Sequence, residues 1–431
     1  MTTTQQTVRE SFIGRFKPVA ANGKSLGTEA RNQALSALDT LEIPGRKWEA
    51  WKYTDLRELS QREYSLATAS ENIDIQPFLI PGMESDLLVF VNGIFVPALS
   101  HTGKNEGRLS ITPLHDLKGE DAALFESHFA QLADPQSDIF TALNTAYASG
   151  GVFICVRKGQ EALAPVHLLF LTDASAKASL SQSRNLFVVE EGANATLIES
   201  SRSIGENTSL RNAVTEIFVG ENATLEYVKL QADTHQASLI DRTEVYQSQS
   251  SRCFTYTITL GGELVRNSLI FKLDGQHVES HLLGAWLLDG LQHTDNYTQV
   301  HHMQPNGFSN ELYKGIMDEK STGVFNGRIH VYRDAQKTNA YQSNRNILLS
   351  DTANIFTKPQ LEIYADDVKC SHGATTGRMD ESALFYLRAR GIPEQAARLM
   401  LVRAFAGEVI EGIQNEALRG YLSEMIEKRF E

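Results

Sequence analysis

The chain has 431 residues, 42% of them hydrophobic, and a formal net charge of -13 at pH 7. That hydrophobic content excludes wholesale disorder, and the length exceeds one ordinary compact domain while suiting a single elongated, repeat-like one. The acidic balance repels phosphate backbones and argues against nucleic acid as a partner, and no stretch approaches the roughly 18 apolar residues that span a bilayer.

In chain order, the N-terminal MTTTQQTVRESFIGRFKP lacks the apolar core of a secretion signal, so a cytoplasmic location is expected. Gly23-Lys24-Ser25 looks like the end of a phosphate-binding loop, but Pro18 stands where that loop needs glycine. Any ATP-dependent step then falls to a partner. Thr28 is placed to cap a helix carrying Ala34, Leu35, Leu38 and Leu41 at helical spacing, ended by Pro44-Gly45. Trp48 and Trp51 read as core anchors. Leu87–Leu99 reads as a hairpin, because Asn92-Gly93 suits a type I′ turn, and residues 119–148 return to helical character. Residues 1–150 thus read as a mixed, mainly helical region.

Residues 151–379 show no sustained helical stripe. Short β-prone runs recur instead, at Val152–Val156, His167–Leu171, Asn185–Val189, Glu216–Val219, Thr224–Leu230, Thr255–Leu260, Leu269–Leu273, Arg328–Tyr332 and Gln360–Tyr364. An Asn-Ala-Thr-Leu phrase at Asn194–Leu197 returns at Asn222–Leu225, 28 residues on, which is a plausible coil of a solenoid. A β-sandwich or barrel closes well short of this length, whereas a stacked β-helix absorbs it. The Asn-X-Ser/Thr triplets at Asn194, Asn207, Asn222 and Asn296 read as turn chemistry.

From residue 380 to 431 the pattern is helical. Asp380 is placed to cap a short helix stopped by Gly391, and Pro393 suits the start of the next. Leu399, Val402, Ala406, Val409, Ile410 and Ile413 share one face, and Asn415 caps a last helix striped by Leu418, Leu422, Met425 and Ile426. Such stripes serve internal packing or a docking partner.

Cys155, Cys253 and Cys370 lie far apart, so they make neither a disulfide framework nor an all-cysteine cluster site. His301-His302 point to opposite faces if they lie on a strand. The richest stretch is Leu361–Thr375. If it is extended, Cys370 and His372 share a face, with Asp366 and Glu362 farther along it and Lys369 opposite. A thiolate beside an imidazole is half a site for iron or zinc, useful when a second chain completes it; the alternative is a cysteine packed as a small hydrophobe beside a hydrogen-bonded histidine.

The run Lys358–Thr375 resembles the signature of the SufB/SufD family, in its SufD branch. The similarity continues through Asp380, Leu384–Arg388, Arg390–Ile392 and Ala404–Ala406; upstream, Ala335–Thr338, Asn346–Ser350 and Trp51–Thr54 are similar too. The resemblance implies a mainly β fold: a right-handed parallel β-helix core over residues 151–379, an N-terminal region over 1–150 and C-terminal helices over 380–431. It implies a non-catalytic scaffold subunit of iron–sulfur cluster assembly that pairs with SufB, binds the ATPase SufC and depends indirectly on a cysteine desulfurase. Cys370 and His372 would lie near the nascent cluster at the SufB interface. Asp380, Phe385, Tyr386, Arg390, Leu399, Ala406 and Val409 would belong to the ATPase-docking helices. No permanent cofactor is expected, only a transient cluster or iron, and the isolated chain could form a homodimer. A carbohydrate-active β-helix enzyme would need paired carboxylates in a groove, and adjacent Asp366 and Asp367 face apart on a strand. A SufB-like paralogue is disfavoured by the Trp51–Thr54 phrase and the scarcity of cysteine.

Overall fold

The computed structural model describes residues 3–17, 26–66, 71–148 and 150–429; Gly23-Lys24-Ser25 lies outside them. From Ser179 onward, strands of 8 to 11 residues follow one another to Gly377. Alternate strands join two different ten-stranded sheets, so each pairs in parallel with the strand two places on. The result is a parallel β-helix of about eight turns, flanked by N-terminal α/β structure and C-terminal helices.

Successive turns are offset by 26 residues where Ser238 faces Leu264 and by 32 where Thr322 faces Asn354. The 28-residue repeat therefore has a coil's length, but its copies are out of register: Asn194 pairs with Thr224, not with Asn222. A corner repeats instead. Gly192, Asn222, Ser250, His277, Asn306 and Lys337 all have positive φ, one per turn, where the chain crosses between sheets. For the residues with a Cβ this costs roughly 1–2 kcal/mol. Corner hydrogen bonds such as Gly192 N to Glu221 O at 2.8 Å and Asn222 N to Gln249 O at 3.0 Å offset it.

Every β-prone run noted above falls within or overlaps a strand. Strands such as His293–His302 and Asn339–Leu348 escape sequence reading because they are mostly polar: one face meets water or a covering element, and the other meets a lumen that itself holds polar groups. Asn296 is one such residue, buried in the lumen against Asn267 at 3.0 Å and not in a turn.

The N-terminal region is joined to the β-helix. The Asn92-Gly93 hairpin forms, with both residues at positive φ, and its first arm, Asp86–Val91, pairs with Val166–Asp173 to begin one sheet. Leu109–Pro113 lies antiparallel on Val152–Val156 and begins the other. Helices α1 (Thr3–Phe16), α2 (Thr28–Ala37), α3 (Arg57–Gln61), α4 (Gly119–His128) and α5 (Ile139–Tyr147) belong to this region. Gly27, not Thr28, stands at the cap of α2. Phe12, Phe16, Trp51, Phe140 and Leu143 bury the outer face of the first sheet at Leu180, Leu210 and Ile240. Trp48 is 39% exposed and is no core anchor, whereas Trp51 lies under Arg266, whose guanidinium sits 4.4 Å from its ring centroid. Arg266 pairs with Asp295, which also accepts from Thr54; that hydroxyl lies 3.0 Å from His293 Nε2. Tyr53 stacks on Phe356 of the last turn at 4.3 Å. The phrase Trp51–Thr54 is thus a clamp along the sheet.

At the other end of the chain, α6 (Glu381–Ala389), α7 (Glu394–Ile410) and α8 (Glu416–Lys428) return along the second sheet. Val402, Ala406, Val409, Ile410, Leu418, Leu422 and Ile426 pack on Val228, Leu230, Ile258, Leu287 and Ile316. Asp380 caps α6, accepting from Ser382 N at 2.9 Å and Ala383 N at 3.1 Å, and Asn415 caps α8.

Breaking a buried ion pair by removing one partner costs about 3–5 kcal/mol. Asp295→Ala, which strands Arg266 and frees Thr54, is expected to lower unfolding free energy by about that much in urea titrations. A loss below about 1 kcal/mol would show that the clamp is not held by this pair.

Candidate functional site at the open end of the β-helix

The two ends of the β-helix differ. At the first, an antiparallel arm on each sheet stops the parallel winding, and Phe90 stacks on Phe170 at 4.7 Å to fill the lumen. At the last, Asn354–Ile363 and Lys369–Gly377 are terminal strands of their sheets, each paired along one edge only. Pro359 lies in the first of them, and an edge strand is where a missing N–H is tolerated. This turn is exposed along most of its length.

Cys370 and His372 sit on the rim of that open end. They are in register with buried Ala340 and Gln342, so both belong to the lumen-facing side of their strand, while Lys369 faces away. Cys370 is half-buried and His372 exposed. The longer face expected from Glu362 to His372 does not exist. The chain turns a corner between residues 363 and 369, so Glu362 lies on the other sheet and faces outward, 3.0 Å from His330 Nδ1 and 3.5 Å from Arg328. Asp366 and Asp367 lie exposed at the corner. Among the described residues no three His, Cys, Asp or Glu side chains are grouped to hold a metal.

Burial raises the Cys370 thiol above the ordinary range, against a smaller opposing effect of the Ala340 backbone. Burial also pushes Cys155 up to about 12 and raises Cys253, which lies wholly in the core. The thiols therefore stay protonated at neutrality in the isolated chain.

Below the rim the lumen is polar, a feature that sequence reading missed. Arg211 pairs with Glu199 at 2.7 Å and Lys229 with Asp241 at 2.5 Å, all four buried; Gln231, Asn267 and Asn296 link by side-chain hydrogen bonds. Nearer the mouth, Glu311 is stacked beneath Gln342, whose amide donates to it at 2.6 Å. Burial pushes Glu311 up to about 7. The signal for this column was the alternation of polar residues within runs such as Asn339–Leu348, legible only once strand register is known.

His301 and His302 do face apart: His302 is buried against Ser309 at 2.8 Å, and His301 stacks outside with His330 at 5.8 Å between ring centroids. Of the helix residues expected to dock a partner, Phe385 (73% exposed), Tyr386 (59%) and Arg390 stand open to solvent, with Arg390 lying 5.3 Å from the Tyr386 ring centroid. Leu399 is half-buried. Ala406 and Val409 are buried against the second sheet, because the same stripe that could receive a partner is used to seat α7.

The family model for the SUF system FeS cluster assembly SufBD core domain matches residues 170–405, and that for the SufBD protein N-terminal region matches residues 8–168. The chain belongs to the SufB/SufD family. It is 32% identical to the iron–sulfur cluster assembly protein SufD of Escherichia coli over 398 residues, covering 91% of each chain. It is 33% identical to an iron–sulfur cluster assembly SufBD family protein of Synechocystis over 422 residues, covering 95% of this chain and 93% of the relative. Against SufD of Bacillus subtilis the identity is 25% over 412 residues, covering 93% of each. It is thus a SufBD family iron–sulfur cluster assembly protein with SufD homologues. No helix among its described residues is long and apolar enough to cross a membrane.

Two outcomes follow from the buried groups. Alkylation of the native chain read by mass spectrometry is expected to modify Cys370 with a pH midpoint above that of a free cysteine, while Cys155 and Cys253 react only after unfolding; a Cys370 midpoint at or below that of free cysteine would contradict the burial argument. Glu311 holds its proton more tightly folded than unfolded, so its contribution to stability is full below about 4.5 and is lost as pH rises through about 7. Between pH 5 and 8, Glu311→Gln is expected to lose less stability than the wild type, by an amount on the order of 3 kcal/mol in urea titrations. Parallel profiles would rule this out.

Proposed function

We propose that this chain is a non-catalytic scaffold subunit that pairs with SufB through the open end of its β-helix and carries SufC on its C-terminal helices. One observation carries the reading: Cys370 and His372 lie on the rim of the end where both sheets leave an edge unpaired. An unpaired parallel edge is a template for a neighbouring strand, and main-chain hydrogen bonds would supply adhesion across both sheets. Exposed Tyr341, Phe356, Ile363 and Tyr364 on the last two turns would supply apolar contact. Iron and sulfur are cargo here. The imidazole and thiol provide part of a ligand set that groups from SufB complete, and a second copy of this chain is the substitute partner when SufB is missing.

Phe385, Tyr386 and Arg390 form the docking patch for SufC. Aromatic and arginine side chains dominate binding energy when they enter a partner's pockets. ATP-driven closure of two SufC copies would shift α6 and α7. Because α7 is seated on the second sheet, with Lys314 donating to Phe405 O at 2.9 Å and pairing with Glu408, that shift would strain the strands leading to the rim. The exposed, adjacent corner carboxylates Asp366 and Asp367 give no support to a carbohydrate-active reading.

His372→Ala is expected to abolish cluster formation by the co-purified complex while SufB and SufC remain bound. Normal iron and sulfide yield would sink the role given to the rim. Phe385→Ala with Tyr386→Ala is expected to weaken SufC binding by about 30-fold or more in calorimetry, as for loss of an interface hot spot of about 2 kcal/mol. Unchanged affinity would move the docking site elsewhere.

A further inference from the structure

Two turns of the lumen behind the rim converge on one point. Glu311 and Gln342 come from adjacent strands of the second sheet, and Thr298 reaches in from the first. All three side chains are buried, at no more than 3% exposure. Glu311 Oε2 accepts the Gln342 amide at 2.6 Å and the Thr298 hydroxyl also donates to the carboxyl, yet Gln342 Oε1, buried beside them, has no hydrogen-bond partner. Gly327 lets these side chains approach closely: a Cβ there would lie 2.5 Å from Gln342 Nε2, 2.7 Å from Phe325 Cζ and 2.9 Å from Thr298 Oγ1. Leu282 is the floor beneath Glu311, and His372 stands on the strand above Gln342.

An unpartnered oxygen in a closed lumen costs roughly 1–3 kcal/mol, and a charged carboxylate beside it more, so the cluster calls for something to satisfy it. A proton on Glu311 gives the carboxyl a donor, but Gln342 Oε1 remains an unmet acceptor, and the Thr298 oxygen keeps lone pairs that a positive charge would draw on. A carboxylate, an amide carbonyl and a hydroxyl are hard oxygen donors, suited to a cation that keeps some of its water.

We propose that Glu311, Gln342 and Thr298 form a site for one hard divalent cation beneath the lumen mouth, entered from the open end past His372. Loading exchanges the Glu311 proton for the cation: the O–H bond of the carboxyl breaks, the proton leaves to solvent, and the carboxylate oxygen binds the ion with no change of oxidation state. The naming of the cation as ferrous iron on its way to the rim rests on the scaffold reading above; the site itself does not.

The test uses Mn2+ as the probe on the purified, metal-free full chain. Its free-ion electron paramagnetic resonance signal reports binding, and calorimetry in two buffers of different ionisation enthalpy reports the proton. The wild type is expected to bind one Mn2+ with proton release at pH 6. Glu311→Gln should weaken binding by at least about tenfold and Thr298→Val by severalfold, both with unchanged circular dichroism. His372→Ala should leave Mn2+ affinity within about threefold of wild type, so failure of the rim in cluster formation and failure of this pocket are read separately. No Mn2+ uptake by the wild type, or equal uptake by a folded Glu311→Gln chain, overturns the proposal; the pocket then holds a proton only.

Discussion

Everything in this molecule follows from the need to pair each strand's backbone with the turn before it. In a parallel β-helix every turn satisfies one edge of its predecessor and leaves its own outer edge for its successor. The demand travels along the chain until the winding stops. At the first end it is met by antiparallel arms from the N-terminal region. At the last end the chain turns away into α6 after Gly377, and two strand edges are left. Which end is left open is therefore set by backbone pairing before any side chain is considered.

Strand alternation then determines what that end displays. Residues two apart face the lumen, so Cys370 stands over Ala340, and His372 stands over Gln342 and Glu311. The lumen is not a uniform hydrophobic core. Apolar layers such as Phe271, Trp286, Val300 and Phe325 alternate with ion pairs and with amides that hydrogen-bond to one another across turns. Buried ion pairs contribute little net stability, since desolvation opposes attraction. Their retention here is compatible with a role in fixing register: a slip of one residue would turn every lumen charge toward the outside.

The flanking elements divide the outer surface between them. The N-terminal helices and the Trp51–Thr54 clamp cover much of the first sheet, and α7 with α8 covers the second. Covering one face of α7 commits Ala406 and Val409 to internal packing, while Phe385 and Tyr386 on α6 keep large apolar surface in water.

The sequence by itself determined the local and the pattern-borne features: the helical C-terminal region with its caps at Asp380 and Asn415, the Asn92-Gly93 turn, the β-prone runs, and the Cys370/His372 pair with its family signature. These depend on near neighbours or on long verbatim phrases. Tertiary structure alone decided the rest. The coil repeat varies from turn to turn, so register could not be read from the Asn-Ala-Thr-Leu phrase. Glu362 left the face of Cys370 because a corner intervenes, and corners here use Asn, Ser, His and Lys as readily as Gly. Glu311, Thr298 and Gly327 are spread over two sheets, and only the stacking of turns, which places residues about 30 apart on top of one another, brings them to a single point.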